Sequence, residues 1–453
     1  MADKVGNGDN ATASVRIPSQ YVDHHRRKIK RARVSSEDLD SISSLPDEIL
    51  QVILAFIPTK LAIRTSILSR RWRHVWSDTP SLSFFGGRCR PDSDSIDKTL
   101  SRYKARKMMS FELRFFDDYY PYVYSWIEFA MYRNVENLWL EHCIYDVPDF
   151  FYINSSVKQL YVKSEYTDLD PKCSVSWTSL KILSLQTCNI YDEPFSKILS
   201  GSPNLETLRL YFCDELCVLD LSKSPRLKTL EIESKHFQGA KIVAPHIHSL
   251  RLRLTISDFP YTLVDVSSLT EAELDIDSVS PERLNTRFLE TIVIKILEKV
   301  QNVEKLTFGG NFLKALSHVD LHDFPFPKFK AKVLTLDTTI SRYVISCIVR
   351  VLQNSPELKK LTLRTMDCDA IKEENLDSHL DLYCWNPYLC LEARTLEKMV
   401  VRLGPYRNTR GFKELLQMVP MLSHDNNVSI VLSATKSRIR ETKWSTGHFI
   451  YYN

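Results

Sequence analysis

At 453 residues and 52.6 kDa, with 26% charged and 43% hydrophobic residues and a mean hydropathy of −0.22, the chain has the composition of a large folded protein with room for two or three domains. Its 11 glycines and 20 prolines exclude collagen-like and glycine-rich repeats, and no apolar run approaches the roughly 20 residues that a membrane-spanning helix needs. The formal net charge of +4 rests on one basic run, without which the chain is close to neutral, so its balance calls for no nucleic-acid partner and no membrane surface.

That run is Arg26, Arg27, Lys28, Lys30, Arg31 and Arg33. It sits in a polar leader, residues 1–40, which has little to bury and is expected to be disordered. The opening MADKVGNGDN is polar and does not read as a secretory signal. The 10 cysteines, spread without dense pairing, suit a reducing compartment. A lysine/arginine cluster of this length is a nuclear-import candidate, the alternative being a solvated tail. The expectation is a soluble chain of the nucleus and/or cytoplasm.

Residues 41–85 change character. Pro46 fits an opening helical turn, and Asp47 and Glu48 place negative charge at the positive end of the helix dipole. Leu45, Ile49, Leu50, Ile53, Leu54 and Ile57 form a wide apolar stripe at helical spacing, and Pro58 ends it. Thr59 is read as the N-cap of a second short helix with Leu61, Ile63 and Ile67. Leu68, Trp72, Val75 and Trp76 mark a third. So much apolar surface in under fifty residues exceeds what they can bury among themselves, so it either docks on the rest of the chain or meets a partner.

The run LPDEIL (Leu45–Leu50), then IPTK (Ile57–Lys60), then RTSILSRRWRHVW (Arg64–Trp76) resembles the F-box motif, in the version found in plant families that join an F-box to leucine-rich repeats. Leu61 departs from it, because many relatives carry an acidic residue there. The resemblance implies docking to a Skp-type adaptor and, through it, to the cullin and RING subunits of a ubiquitin ligase. By motif match the adaptor-facing positions would be Leu45, Pro46, Ile49, Leu50, Ile53 and Leu54, with Pro58, Leu68 and Trp72 supporting that face.

From about Asn134 an apolar-x-x-Leu-x-apolar signature recurs. Val135-x-x-Leu138-x-Leu140-x-x-Cys143, Leu180-x-x-Leu183-x-Leu185-x-x-Cys188 and Leu205-x-x-Leu208-x-Leu210-x-x-Cys213 are its clearest copies, and others centre on Leu160, Leu230, Leu250, Leu306, Leu334 and Leu361. The early centres lie 22, 23, 25, 22 and 20 residues apart, the period of leucine-rich repeats. SPNL, SPRL and SPEL (from Ser202, Ser224 and Ser355) each lead into a strand. Helical returns are expected at Phe195–Leu199, Leu289–Val300 and Tyr343–Leu352, with irregular spacing later in the array. Cys143, Cys188 and Cys213 read as small inward side chains; neither Cys213/Cys217 nor Cys384/Cys390 has the companion ligands of a zinc site.

Trp385, Pro387, Cys390, Leu391 and Leu396 resemble the start of the FBD motif that closes many plant F-box repeat proteins. Strand-like runs at Leu396–Leu403 and Val428–Leu432 flank a helical pattern of Phe412, Leu415, Leu416 and Val419, with Gly404-Pro405-Tyr406 and Gly411 at the turn.

The expected fold class is therefore α/β: a short three-helix F-box (41–85), an irregular leucine-rich-repeat solenoid of parallel strands with helical or irregular returns (100–380), an FBD-like C-terminal cap (381–435) and a tail (436–453).

No phosphate-binding glycine loop, dinucleotide fingerprint or nucleophile elbow is present. His246 and His248 read as alternating on a strand, and Gly309-Gly310 as a turn. No cofactor, metal or catalytic residue is called. The resemblance implies a non-catalytic substrate receptor that brings an unknown target protein to the ligase. Trp139, Glu141, Arg209, Tyr211, Glu231, Glu233, Arg251 and Arg253, which alternate with the repeat leucines, are expected to face out of the sheet. The alternatives are an adaptor-independent repeat scaffold and a receptor for a small molecule or inositol phosphate.

Overall fold

The computed structural model describes Ile42 and residues 44–86, 93–115, 120–142, 144, 147–164, 167–213, 215–234, 241–256, 262–278, 286–317, 326–338, 342–365, 398–403 and 429–434. The basic run 26–33, Cys143 and the FBD-like positions from Trp385 to Leu396 and from Gly404 to Val419 lie outside the described residues. The chain divides into two units, Met1–Ile49 and Leu50–Asn453.

In the first unit the Leu45 N–H donates to the Ile42 carbonyl at 3.2 Å, and the Ile49 N–H to Pro46 at 3.1 Å. Pro46 thus stands immediately before helix α1 (Asp47–Leu54), whose first turn carries Asp47 and Glu48. Leu45 is half-buried, while Pro46 and Ile49 are exposed.

The second unit opens with the rest of α1. The helix stops at Leu54, three residues short of the expected end. Its last turn tightens, with Phe56 N–H donating to Ile53 at 3.2 Å and Ile57 N–H to Leu54 at 3.3 Å, and Pro58 prevents continuation. Helix α2 (Thr59–Arg64) runs into a 3-10 turn (Thr65–Ile67), and α3 (Trp72–Val75) into another (Trp76–Asp78). Leu68 lies in the turn before α3.

The Thr59 cap is corrected. Pro58 holds the cap position without a side-chain bond, and the buried Thr59 hydroxyl instead accepts the Ser83 N–H at 2.7 Å. That bond ties the helical segment to the first strand of the sheet.

Fourteen strands make one sheet, every neighbouring pair parallel. The first six are β1 (Ser81–Phe85), β2 (Ser110–Arg114), β3 (Asn137–Glu141), β4 (Gln159–Lys163), β5 (Ile182–Gln186) and β6 (Thr207–Tyr211). A three-residue strand, β7 (Val218–Asp220), precedes β8 (Thr229–Ser234), and β9 (Lys241–Val243) precedes β10 (Ser249–Ile256). Then come β11 (Thr262–Asp265), β12 (Glu271–Ser278), β13 (Lys305–Phe308), β14 (Val333–Thr338), β15 (Lys360–Thr365), β16 (Lys398–Leu403) and β17 (Ser429–Ala434). Strands β7, β9 and β11 form a separate three-stranded parallel sheet on the return side.

Two strands, β1 and β2, precede the first repeat the sequence revealed. His246 and His248 prove to lie in the loop before β10, not on a strand, and the His248 carbonyl accepts the N–H groups of Thr270 and Glu271, both at 2.9 Å. Equivalent carbonyls at Glu136, Lys158, Lys181, Glu206, Lys228 and Thr270 each take two N–H groups from the next repeat. This recurring double bond sets the stacking register.

The helical returns include α4 (Ser93–Arg102), α5 (Tyr120–Tyr132), α6 (Asp149–Tyr152), α7 (Asp192–Ser200), α8 (Thr286–Val300), α9 (Gly310–Ser317) and α10 (Arg342–Gln353). Alternate strand residues such as Leu138, Leu160, Leu183, Leu208 and Leu230 pack with Trp126, Phe195 and Ile198 of these helices in one continuous core. No repeat could bury that face alone.

The SP-x-L signature has a physical basis beyond its proline. Ser202, Ser224 and Ser355 are buried. The Ser202 hydroxyl donates to the Ile198 carbonyl at 2.8 Å and Ser355 to Val351 at 2.7 Å, closing the helix that ends there. The buried thiols of Cys188 and Cys213 sit beneath the sheet, 3.7 Å from the Val162 carbonyl and 3.5 Å from that of Leu185. Burial pushes the Cys188 thiol up to about 12.

Candidate functional site

The apolar stripe read along α1 is two stripes. Leu50 and Leu54 are buried, as are Trp72 and Val75. Val52, Ile53 and Phe56, at i, i+1 and i+4, are 48%, 43% and 49% exposed. Leu61 on α2 and Ile67 and Leu68 in the following turns are exposed as well, Ile67 at 87%. Six of the fifteen exposed large apolar side chains among the described residues fall between Val52 and Leu68.

A short helix apolar on both faces needs one face covered by its own chain and the other by something else. Of the motif-matched positions, Pro46, Ile49, Ile53 and Leu68 are open, Leu45 and Pro58 are half-buried, and Leu50, Leu54 and Trp72 are closed. Motif matching did not single out Val52, Phe56, Leu61 or Ile67. Their i, i+4 and turn positions opposite the buried set carried the signal.

The second surface is the sheet face opposite the core. Parallel register lines up Ser83, Glu112, Trp139, Tyr161, Ser184, Arg209, Glu231, Arg251 and Glu273 along one row. Trp139 stacks on Tyr161 with ring centroids 3.6 Å apart and planes 18° from parallel. The Arg114 guanidinium lies 5.1 Å from the Phe85 ring and 5.2 Å from Trp139. Trp139 faces out of the sheet as expected, yet it and Tyr161 are buried on that face, Trp139 beneath the Arg114 guanidinium and against the Tyr161 ring.

Further along, opposite charges alternate. Arg209 meets Glu231 at 3.2 Å; Arg251 meets Glu231 at 3.6 Å and Glu273 at 2.8 Å; Arg253 meets Glu273 at 3.4 Å. The Tyr211 hydroxyl donates to Glu231 at 2.8 Å, and burial together with that carboxylate raises its pKa. On the adjacent row Lys163 donates to Glu141 at 2.8 Å.

Glu112 is the anomaly of this face. Its carboxylate is buried against Arg114, and desolvation pushes its pKa up to about 7 although Arg114 opposes the shift. Among the described residues no group of three or more His, Cys, Asp or Glu side chains is placed to hold a metal ion. Cys213 is buried and Cys217 exposed, while Cys384 and Cys390 lie outside the described residues.

Comparison with known proteins bears on both surfaces. Residues 42–84 match the F-box domain, and residues 100–383 match the family described as At1g61320/AtMIF1, LRR domain. F-box/LRR-repeat protein At3g03360 of Arabidopsis thaliana is 52% identical, across 89% of this chain and 92% of that protein. F-box/LRR-repeat protein At5g02910 of the same plant is 47% identical, across 88% and 96%. F-box protein At5g03100 is 46% identical over 66% of this chain and 98% of its own length.

Proposed function

The chain belongs to the F-box/LRR-repeat family, and from that premise we propose that it is a non-catalytic substrate-receptor subunit of a Skp–cullin–F-box ubiquitin ligase. The observation that carries this reading is the exposed set Val52, Ile53, Phe56, Leu61, Ile67 and Leu68, backed by buried Leu50, Leu54 and Trp72. Clustered aliphatic and aromatic anchors of this kind concentrate binding energy in a few residues. A Skp-type adaptor is the partner, and cullin and RING subunits follow through it. Leu50, Leu54 and Trp72 shape the surface from beneath.

The outward sheet face is the proposed holder of the target protein. Its role is tethering: a target lysine is kept at high effective concentration near a charged ubiquitin carrier, and this chain breaks no bond itself. Recovery of cullin with the full chain from plant cells tests the reading. Wild type should bring cullin down, and the Ile53→Asp, Leu68→Asp variant should not. Equal recovery by both would move the adaptor contact elsewhere and sink the assignment.

The run Arg26–Arg33 is proposed as a nuclear-import signal. Replacing its six basic residues by alanine should shift a fluorescent fusion toward the cytoplasm, and an unchanged distribution would leave it a solvated tail.

A further inference from the structure

Helix α2, strand β1 and helix α4 enclose a cleft of about 650 Å³ within the second unit. Its chemistry is one-sided. Lys60 and Arg64 stand one turn apart on α2, and Lys98 and Arg102 one turn apart on α4, with the hydroxyls of Ser95 and Thr99 on the same α4 wall. No carboxylate lines the cleft, and among the described residues none of the four cations has an ion-pair partner. Asp97, the nearest acid to Lys98 in sequence, is engaged elsewhere: its carboxylate accepts the Trp126 indole N–H at 2.7 Å.

This contrasts with the strand face, where cations alternate with carboxylates. Four exposed like charges rim a cleft lined by the apolar rings of Trp76, Phe84 and Phe85, and their mutual repulsion gives it a positive potential. An anion relieves that repulsion. Lysine and arginine offer charged donors to it, while the Thr99 hydroxyl donates to the Ser95 carbonyl at 2.7 Å. The cleft also falls in the size range of small-molecule sites.

We infer that this cleft binds a small anion carrying at least two phosphate groups, with one cation pair on each wall and the aromatic floor beneath the body of the ligand. Two dianionic phosphates match four cations in charge. The ligand would bridge α2 of the helical segment and α4 of the first return, fixing the two against each other. The cleft borders the proposed adaptor patch, sharing Pro58 and Leu61 with it, and lies apart from the row of charges on the strand face.

Calorimetric titration of the full chain with inorganic tripolyphosphate at physiological ionic strength tests it, so that long-range attraction is screened. One saturable site is expected. The Lys98→Ala, Arg102→Ala variant should weaken it by about tenfold or more, while Lys223→Ala, Lys295→Ala, which removes the same charge at distant exposed positions, should leave it unchanged. Circular dichroism melts establish that both variants are folded. No saturable binding, or equal weakening by the control pair, overturns the proposal. So does tighter binding of a short DNA duplex that the same α4 variant abolishes, which would make the cleft part of a nucleic-acid surface. Adaptor capture, read separately, keeps failure here distinct from failure of the receptor reading.

Discussion

Glu112 shows how far a single residue can depart from what its neighbours in sequence announce. In SFELR it reads as an ordinary outward strand position, yet the registered row places it between Ser83 and Trp139 and buries it. The sign of its pH effect follows. A carboxyl raised from its ordinary 4.5 to about 7 favours the fold while protonated, and that contribution is lost as pH climbs through this window. Glu112→Gln should therefore match wild type in denaturant stability near pH 4 and exceed it by up to about 3 kcal/mol at pH 8. A difference that stays constant with pH would mean that Arg114 keeps the carboxylate ionised throughout. The strand exits carry a second residue-scale feature: His142, Thr187 and Phe212 have φ of 53°, 54° and 55°. Such left-handed positions are unfavourable for a β-branched residue. Thr187→Gly should cost little or raise stability, whereas Thr207→Gly inside β6 should cost about 1 kcal/mol, as thermal melts of the two would show. Equal losses would mean that the Thr187 conformation stores no strain.

Among the elements, helix α1 carries the most consequence. Its helical period was legible and its two-sidedness was not, because an all-round apolar pattern does not say which face the chain itself covers. The distinction is testable by folding alone. Leu54→Ala removes a buried side chain and should destabilise by about 2–5 kcal/mol, while Ile53→Ala should stay within about 0.5 kcal/mol. The reverse ranking in chemical denaturation would invert the assigned faces. Repeat strands were readable because leucines two apart project to one side and only a stacked array can bury them. The returns at β7, β9 and β11 were missed: three residues are too few to show a period. The double hydrogen bond at each repeat start, and the buried serines behind SPNL and SPEL, needed coordinates to be seen as structure. Gly309 is a sharper case: a Cβ there would fall on the Asp275 carboxylate, whose Oδ1 accepts the Asn311 N–H at 3.3 Å at the start of α9.

For the whole molecule, the sheet makes stability a nearest-neighbour property. Leu230 on β8 packs in the shared core with its counterparts on β6 and β10, so Leu230→Ala should raise amide exchange in all three strands together. Exchange confined to β8 would show that the repeats open independently. The row of Arg209, Glu231, Arg251 and Glu273 belongs to this scale too, since its members are twenty or more residues apart in sequence and meet only through register. The proposed function joins two ends of the same logic: an exposed helical patch for a constant partner and a strand face for a variable one. The most direct measurement is the binary affinity of purified full chain for a Skp-type adaptor, compared between wild type and the Ile53→Asp, Leu68→Asp variant after both are verified as folded. A receptor of this kind binds the adaptor saturably, and burying two unpaired carboxylates in the contact weakens it by several kcal/mol. A folded wild type with no measurable affinity, or a variant that binds as tightly, would contradict it.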